Sequence, residues 1–179
     1  NFTLTPSFRK EAGFYNQEKF NSKKDNLAYM RKTFLKNNSS ILLLEKVPAK
    51  DVSKYGIAKL EKPLKSHGTI SKIIDIHEKP TIAKAPSRFA AVGRYIFENK
   101  ILDFISNDSG SGKEIEITDA IKNFVSEGNI SQATLLKGEC FDCGSKQGYF
   151  YSILKTGLSL PEYKKEVLKS LKDQWSESF

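Results

Sequence analysis

Three short stretches carry residues whose types and spacing could do chemistry: IHEKP (76–80), GSGKEIEITDAI (110–121) and GECFDCG (138–144). In the first, Lys79 is a compact positive charge of the kind that meets phosphate oxygens. Glu78 beside it can accept hydrogen bonds from sugar hydroxyls, and Pro80 prevents an ordinary central strand from continuing. The plain alternative is an exposed Glu-Lys pair. In the second, glycines before a helix could offer backbone N–H groups to an anion. The G-x-x-x-x-G-K-[ST] spacing of a P-loop is absent.

The third stretch holds both cysteines, Cys140 and Cys143. A structural zinc site takes four ligands. The two histidines, His67 and His77, lie far upstream, at a spacing that fits no finger pattern. A redox dithiol should open a helix directly, whereas Phe141 and Asp142 stand between these sulfurs. Asp142 is the better candidate, because a carboxylate past a strand end can hold Mg²⁺ through oxygen. A helix-capping or turn aspartate is the alternative. Cys143 is expected to pack as a small buried apolar residue.

The elements that must position these residues follow from periodicity. Leu27, Met30, Phe34 and Leu35 fall near one face of a helix beginning at Lys24 and stopped by Asn37-Asn38. SILLLEKV, KYGIAKLEK, GTISKIIDIHEK, RFAAVGRYIF and SQATLLK read as strands. NKILDFI reads as a short helix capped by Asn99. EITDAIKNFV places Ile117, Ala120, Ile121, Phe124 and Val125 on one stripe ending at Gly128. SKQGYFYSILKTG and PEYKKEVLKSLKDQW are two further helices, the second opening with Pro161 at a tolerated first-turn position. Alternating strands and helices give an α/β class with a mostly parallel or mixed sheet.

The chain has 179 residues, 39% hydrophobic and 28% charged, enough for one core. Its net charge of +8 favours an anionic partner, but the lysines are dispersed and no aromatic-basic RNA signature occurs, so nucleic acid is not expected. No run is long and apolar enough for a membrane span, so no membrane partner is expected. The chain opens without Met, as a processed chain or a fragment would. Two cysteines and no export signal point to the cytoplasm.

Taken in order, DVSKYGI, EKP…APSRFAAVGRYIF, GSGKEIEITDAI and FDCGSKQGY resemble the C-terminal half of the bacterial UTP–glucose 1-phosphate uridylyltransferases, the UDP-glucose pyrophosphorylases, over about Asp25 to Leu158. The resemblance implies a Rossmann-like nucleotide-diphospho-sugar transferase fold with a mixed sheet. It implies UDP-glucose and pyrophosphate made from UTP and glucose 1-phosphate, with Mg²⁺. By the same resemblance Lys79 contacts the phosphates and Glu78 the glucosyl hydroxyls. Gly56 and Gly93 let the backbone approach the sugar, Glu116 lies near it, and Asp142 binds Mg²⁺. The family more often has glycine where this chain has Lys113.

A gap accompanies the resemblance. No G-x-G-T-R-like segment for UTP occurs, and residues 1–24 contain no aspartate for a first Mg²⁺ ligand. The expected organisation is an irregular arm over 1–23, a sugar-nucleotide-binding half over 24–158, and a helix over 159–179 as an oligomerisation element. A parallel core missing its N-terminal strands should expose apolar edges. Such a chain is expected to self-associate, to pair with a separate N-terminal half or to persist with a rebuilt sheet, and to turn over little alone. A non-catalytic binding or assembly module is the alternative reading.

Overall fold

The structure, a computed structural model, describes residues 26–105, 116–141, 143 and 145–176, with side chains through 173. The expected N-terminal arm over 1–23, the glycines of GSGKEIEITDAI, Lys113 and Asp142 lie outside the described residues.

Five strands carry the fold: β1 (Ser40–Lys46), β2 (Gly56–Leu60), β3 (Ile70–Glu78), β4 (Phe89–Ile96) and β5 (Ser131–Leu135). They pair in the order β1-β4-β2-β3-β5, and β5 returns to β1, so the sheet closes into a barrel. Of the two sheets the sequence allows, mostly parallel or mixed, this one is mixed. β1 and β5 run parallel, while the β1–β4, β2–β3, β2–β4 and β3–β5 pairs are antiparallel. The apolar edge expected of a truncated parallel core is therefore not found among the described strands, because closure pairs each one on both sides.

Period-two geometry explains β1. Its first five residues are all buried. Successive side chains point to opposite faces. Leu42 and Leu44 join one cluster with Ala58, Ile73, Ile76 and Ile121, while Ile41 and Leu43 join another with Met30. A strand covered on both faces reads as the continuous apolar run SILLL. Fully burying each of these large side chains stabilises by roughly 1.5–3 kcal/mol.

Helix α1 (Asn26–Asn37) covers the second face with Met30 and Phe34, one turn apart. Leu27 and Leu35, expected on that face, are instead mostly exposed, because the helix meets β1 along a narrow i, i+4 seam. Asn38 ends the helix at φ 47°, a left-handed conformation that asparagine tolerates. Asn26 pins the other end, exchanging side-chain hydrogen bonds with the Lys137 N–H (2.8 Å) and carbonyl (3.0 Å).

Helix α2 (Ile117–Ser126) buries Thr118, Ala120, Ile121 and Phe124, following its apolar stripe, and packs on β3. NKILDFI forms a 3-10 helix over Asn99–Phe104 capped at Glu98 rather than Asn99. Glu98 is held there by reciprocal bonds with Ser40: the Ser40 N–H donates to Glu98 Oε1 (3.3 Å) and the Glu98 N–H to Ser40 Oγ (3.1 Å).

The chain divides into two compact units at Gly138/Glu139. The second contains α3 (Lys146–Ser159) and α4 (Pro161–Ser176), which pack on each other. Val167 of α4 approaches Gly157 of α3 so closely that a Cβ there would sit 3.2 Å from Val167 Cγ2. Neither helix buries a described residue, and Tyr149, Phe150, Ile153, Tyr163, Leu168 and Leu171 are exposed. No helix among the described residues is long and apolar enough to cross a membrane.

Candidate functional site

The start of β2, the end of β3 and the start of α2 meet at one point. Gly56, first in β2, is the register partner of Glu78, last in β3. Lys79 follows at φ 41°, a left-handed conformation costly for a residue with a Cβ. Its N–H donates to the Tyr55 carbonyl (3.1 Å) and buried Pro80 follows, so the turn is fixed on both sides. Strained backbone of this kind clusters at functional sites.

This turn sets the Lys79 ammonium between two carboxylates, 3.3 Å from Glu116 Oε1 and 3.4 Å from Glu78 Oε1. Glu116, and after it Glu78, raise the lysine pKa above its ordinary value. The lysine side chain is 55% exposed, so its charge faces solvent and any incoming anion. Glu116 occupies the N-cap position of α2 without capping it by its side chain, which is thereby available to Lys79. Three residues singled out from sequence, Glu78, Lys79 and Glu116, are thus brought together by the fold.

Gly93 lies in an irregular segment of β4: between Leu42 and Leu44, β1 pairs with Tyr95 and then with Ala91. Its φ is +70° and a Cβ built on it would meet nothing within 4 Å. The glycine is required by its backbone conformation, and the space above it is open. Gly56 differs. A Cβ there would stand 2.5 Å from Thr118 Cγ2 and 3.2 Å from Glu78 Oε2, so protein fills the space reserved in the sequence reading for a sugar. Gly56→Ala is accordingly expected to cost about 1–3 kcal/mol by overpacking. Adding Thr118→Ser, which removes the obstructing methyl, should recover part of that loss in urea unfolding. A Gly56→Ala protein as stable as its parent would contradict this packing.

Two residues near the site escaped the sequence reading. Thr118 Oγ1 donates to Glu78 Oε2 at 2.7 Å, and Thr118 is buried. In EITDAI it reads only as a first-turn threonine. Tyr95 reads as one more apolar strand residue in RYIF, yet its pKa is raised, chiefly by burial and further by the Glu78 carboxylate, against a Gly93 backbone hydrogen bond.

Asp142 lies outside the described residues. Ser145 caps α3, its Oγ accepting from the Gly148 N–H (3.0 Å). Cys143 is exposed rather than buried, and its thiol donates to Ser152 Oγ at 3.4 Å. It precedes a helix that buries no described residue, so nothing there encloses it. Among the described residues no group of three or more His, Cys, Asp or Glu could hold a metal ion, and Glu78 and Glu116 both face the Lys79 ammonium.

Fold and site together define an α/β protein that sets a lysine at a strand end, where a phosphorylated ligand could meet it. The sequence profile of the family described as nucleotidyl transferase matches residues 21–157, and the chain belongs to that family. It is 37% identical over 152 residues to a UTP–glucose-1-phosphate uridylyltransferase of Haemophilus influenzae, covering 84% of this chain and 51% of the relative. The corresponding Escherichia coli enzyme is 33% identical over 135 residues, covering 75% and 44%. Among solved structures, the UTP-bound UGPase of Acinetobacter baumannii superposes with a TM-score of 0.73 at 31% identity, over 86% of this chain and 52% of that one. A UDP-glucose pyrophosphorylase complexed with UDP-glucose gives 0.61 at 35% identity, over 69% and 46%. The fold is that of these nucleotidyltransferases in part, and the chain spans about half the length of the relatives it matches.

Proposed function

We propose that the chain is the C-terminal, sugar-nucleotide-binding half of a UTP:glucose 1-phosphate uridylyltransferase. The observation that carries this reading is the Lys79 ammonium held at a strand end between Glu78 and Glu116. In the reaction an oxygen of glucose 1-phosphate attacks the α-phosphorus of UTP in line. The bond from that phosphorus to the bridging oxygen breaks, and pyrophosphate leaves. Little covalent chemistry falls to the protein, so placement and charge neutralisation dominate.

Each residue has a part in this reading. Lys79 meets phosphate charge, and Glu116 keeps its ammonium in place. Glu78 accepts from glucosyl hydroxyls. The open space over Gly93 admits the ligand to the backbone, and Gly56 lets α2 close over β2. Mg²⁺ supplies further neutralisation of phosphate charge when bound. Asp142 is its proposed ligand here, since Mg²⁺ keeps waters and leans on phosphates plus one or two carboxylates. The location is the cytoplasm, where exposed thiols such as Cys140 and Cys143 stay reduced.

Turnover is assigned to the chain together with an N-terminal half that brings the G-x-G-T-R segment, which this sequence lacks. Residues 159–179 are the proposed oligomerisation element, on the strength of exposed Tyr163, Leu168 and Leu171. A second reading is a sugar-nucleotide-binding or assembly module without transfer. Calorimetry of the folded chain with millimolar UDP-glucose tests the shared premise. Weak binding is expected, and no heat would count against it. UDP-glucose formation on mixing with an N-terminal half then decides for transfer.

A further inference from the structure

Glu78 has two carboxylate oxygens with different neighbours. Oε2 accepts the 2.7 Å hydrogen bond from Thr118, whose side chain is buried at the start of α2. Oε1 faces Lys79 at 3.4 Å, on the side open to solvent. The methyl of the same threonine stands over Gly56, where even a Cβ would come within 2.5 Å. Thr118 is β-branched and stiff about χ1, so seating the methyl over Gly56 also fixes where the hydroxyl points.

We propose that Thr118 is a positioning residue: packed against Gly56, it holds Oε2 of Glu78 and thereby turns Oε1 toward Lys79 and the sugar. The inference rests on the reading of Glu78 as a sugar-binding carboxylate. A hydrogen bond to an ionised acceptor is stronger than one between neutral groups, and a carboxylate that loses its buried donor turns to find another. Threonine suits both tasks. Serine would keep the donor and lose the wedge, while valine would keep the wedge and lose the donor.

The test compares Thr118→Val and Thr118→Ser with the parent chain by calorimetry against UDP-glucose and against UDP. Thr118→Val should weaken UDP-glucose about tenfold while leaving UDP within about twofold, because only the sugar meets Glu78. Thr118→Ser, which keeps the donor but loses the wedge, should lose clearly less UDP-glucose affinity than Thr118→Val and leave UDP within about twofold. Equal loss for UDP and UDP-glucose, or a Thr118→Ser loss as large as that of Thr118→Val, would overturn the proposal in favour of a merely structural threonine. A crystal structure of Thr118→Val gives a readout that needs no ligand. The Glu78 carboxylate should be rotated away from α2, and an unmoved carboxylate overturns the proposal. If the parent binds no UDP-glucose, the proposed function fails, and this crystallographic comparison alone decides the positioning role.

Discussion

Replacing Lys79 with alanine should lower UDP-glucose formation, measured with the chain mixed with an N-terminal half, by about 30- to 1,000-fold, the usual worth of a placed donor on developing phosphate charge. Lys84→Ala should leave the rate within about twofold, as a surface substitution away from a site does. Both residues are exposed lysines in the same connection between β3 and β4. They differ in placement. Lys79 is fixed by its left-handed backbone, its N–H to Tyr55 and two carboxylates, whereas Lys84 ends a three-residue 3-10 turn. Equal losses at the two positions would show that general positive charge, rather than a placed ammonium, is what the reaction uses.

The second large effect is on stability. Phe124 is fully buried, and its ring meets Phe104 edge-on at 5.4 Å and 85°. Phe124→Ala should cost about 3–5 kcal/mol in urea unfolding, a large fraction of the 5–15 kcal/mol by which domains are typically stable. Phe150→Ala, at a position 69% exposed on α3, should change stability by less than about 0.5 kcal/mol. The effect reaches the site, because α2 carries Thr118 and is capped at Glu116. A loss at Phe124 no larger than that at Phe150 would mean that α2 is not seated as described.

Local pattern accounts for what was legible in the sequence. β1 is legible as the continuous apolar run SILLL, other strands and the α2 stripe follow from periods of two and 3.6, and Glu78 with Lys79 stood out as charges at a strand end stopped by Pro80. Pairings between distant segments were not legible. Nothing around Thr118 announces that its hydroxyl reaches Glu78, and nothing around Gly56 announces that a helix sixty residues on will occupy its Cβ space. Leu27 and Leu35 have the spacing of core residues, but how wide a helix seam is depends on the surface it meets. Cys143 misled for a related reason: cysteine is usually buried, but the helix that follows this one buries no described residue and Cys143 is exposed.

Closure of the barrel through β1 and β5 has a consequence for how the chain reaches this fold. Ser40 lies opposite Ser131 across that parallel seam, whereas β2 and β3 are joined by the connection over residues 61–69. Bringing together ends separated by about half the chain costs loop entropy before any contact rewards it, so such pairings slow folding. Until β5 arrives, β1 lacks one of its two hydrogen-bonding neighbours along SILLL, five residues that are largely apolar and carry no charge. Newly made chain therefore passes through a period in which this segment can pair with another copy of itself. The charged Glu45 and Lys46 at its end are the gatekeepers that work against such aggregation while the seam is open.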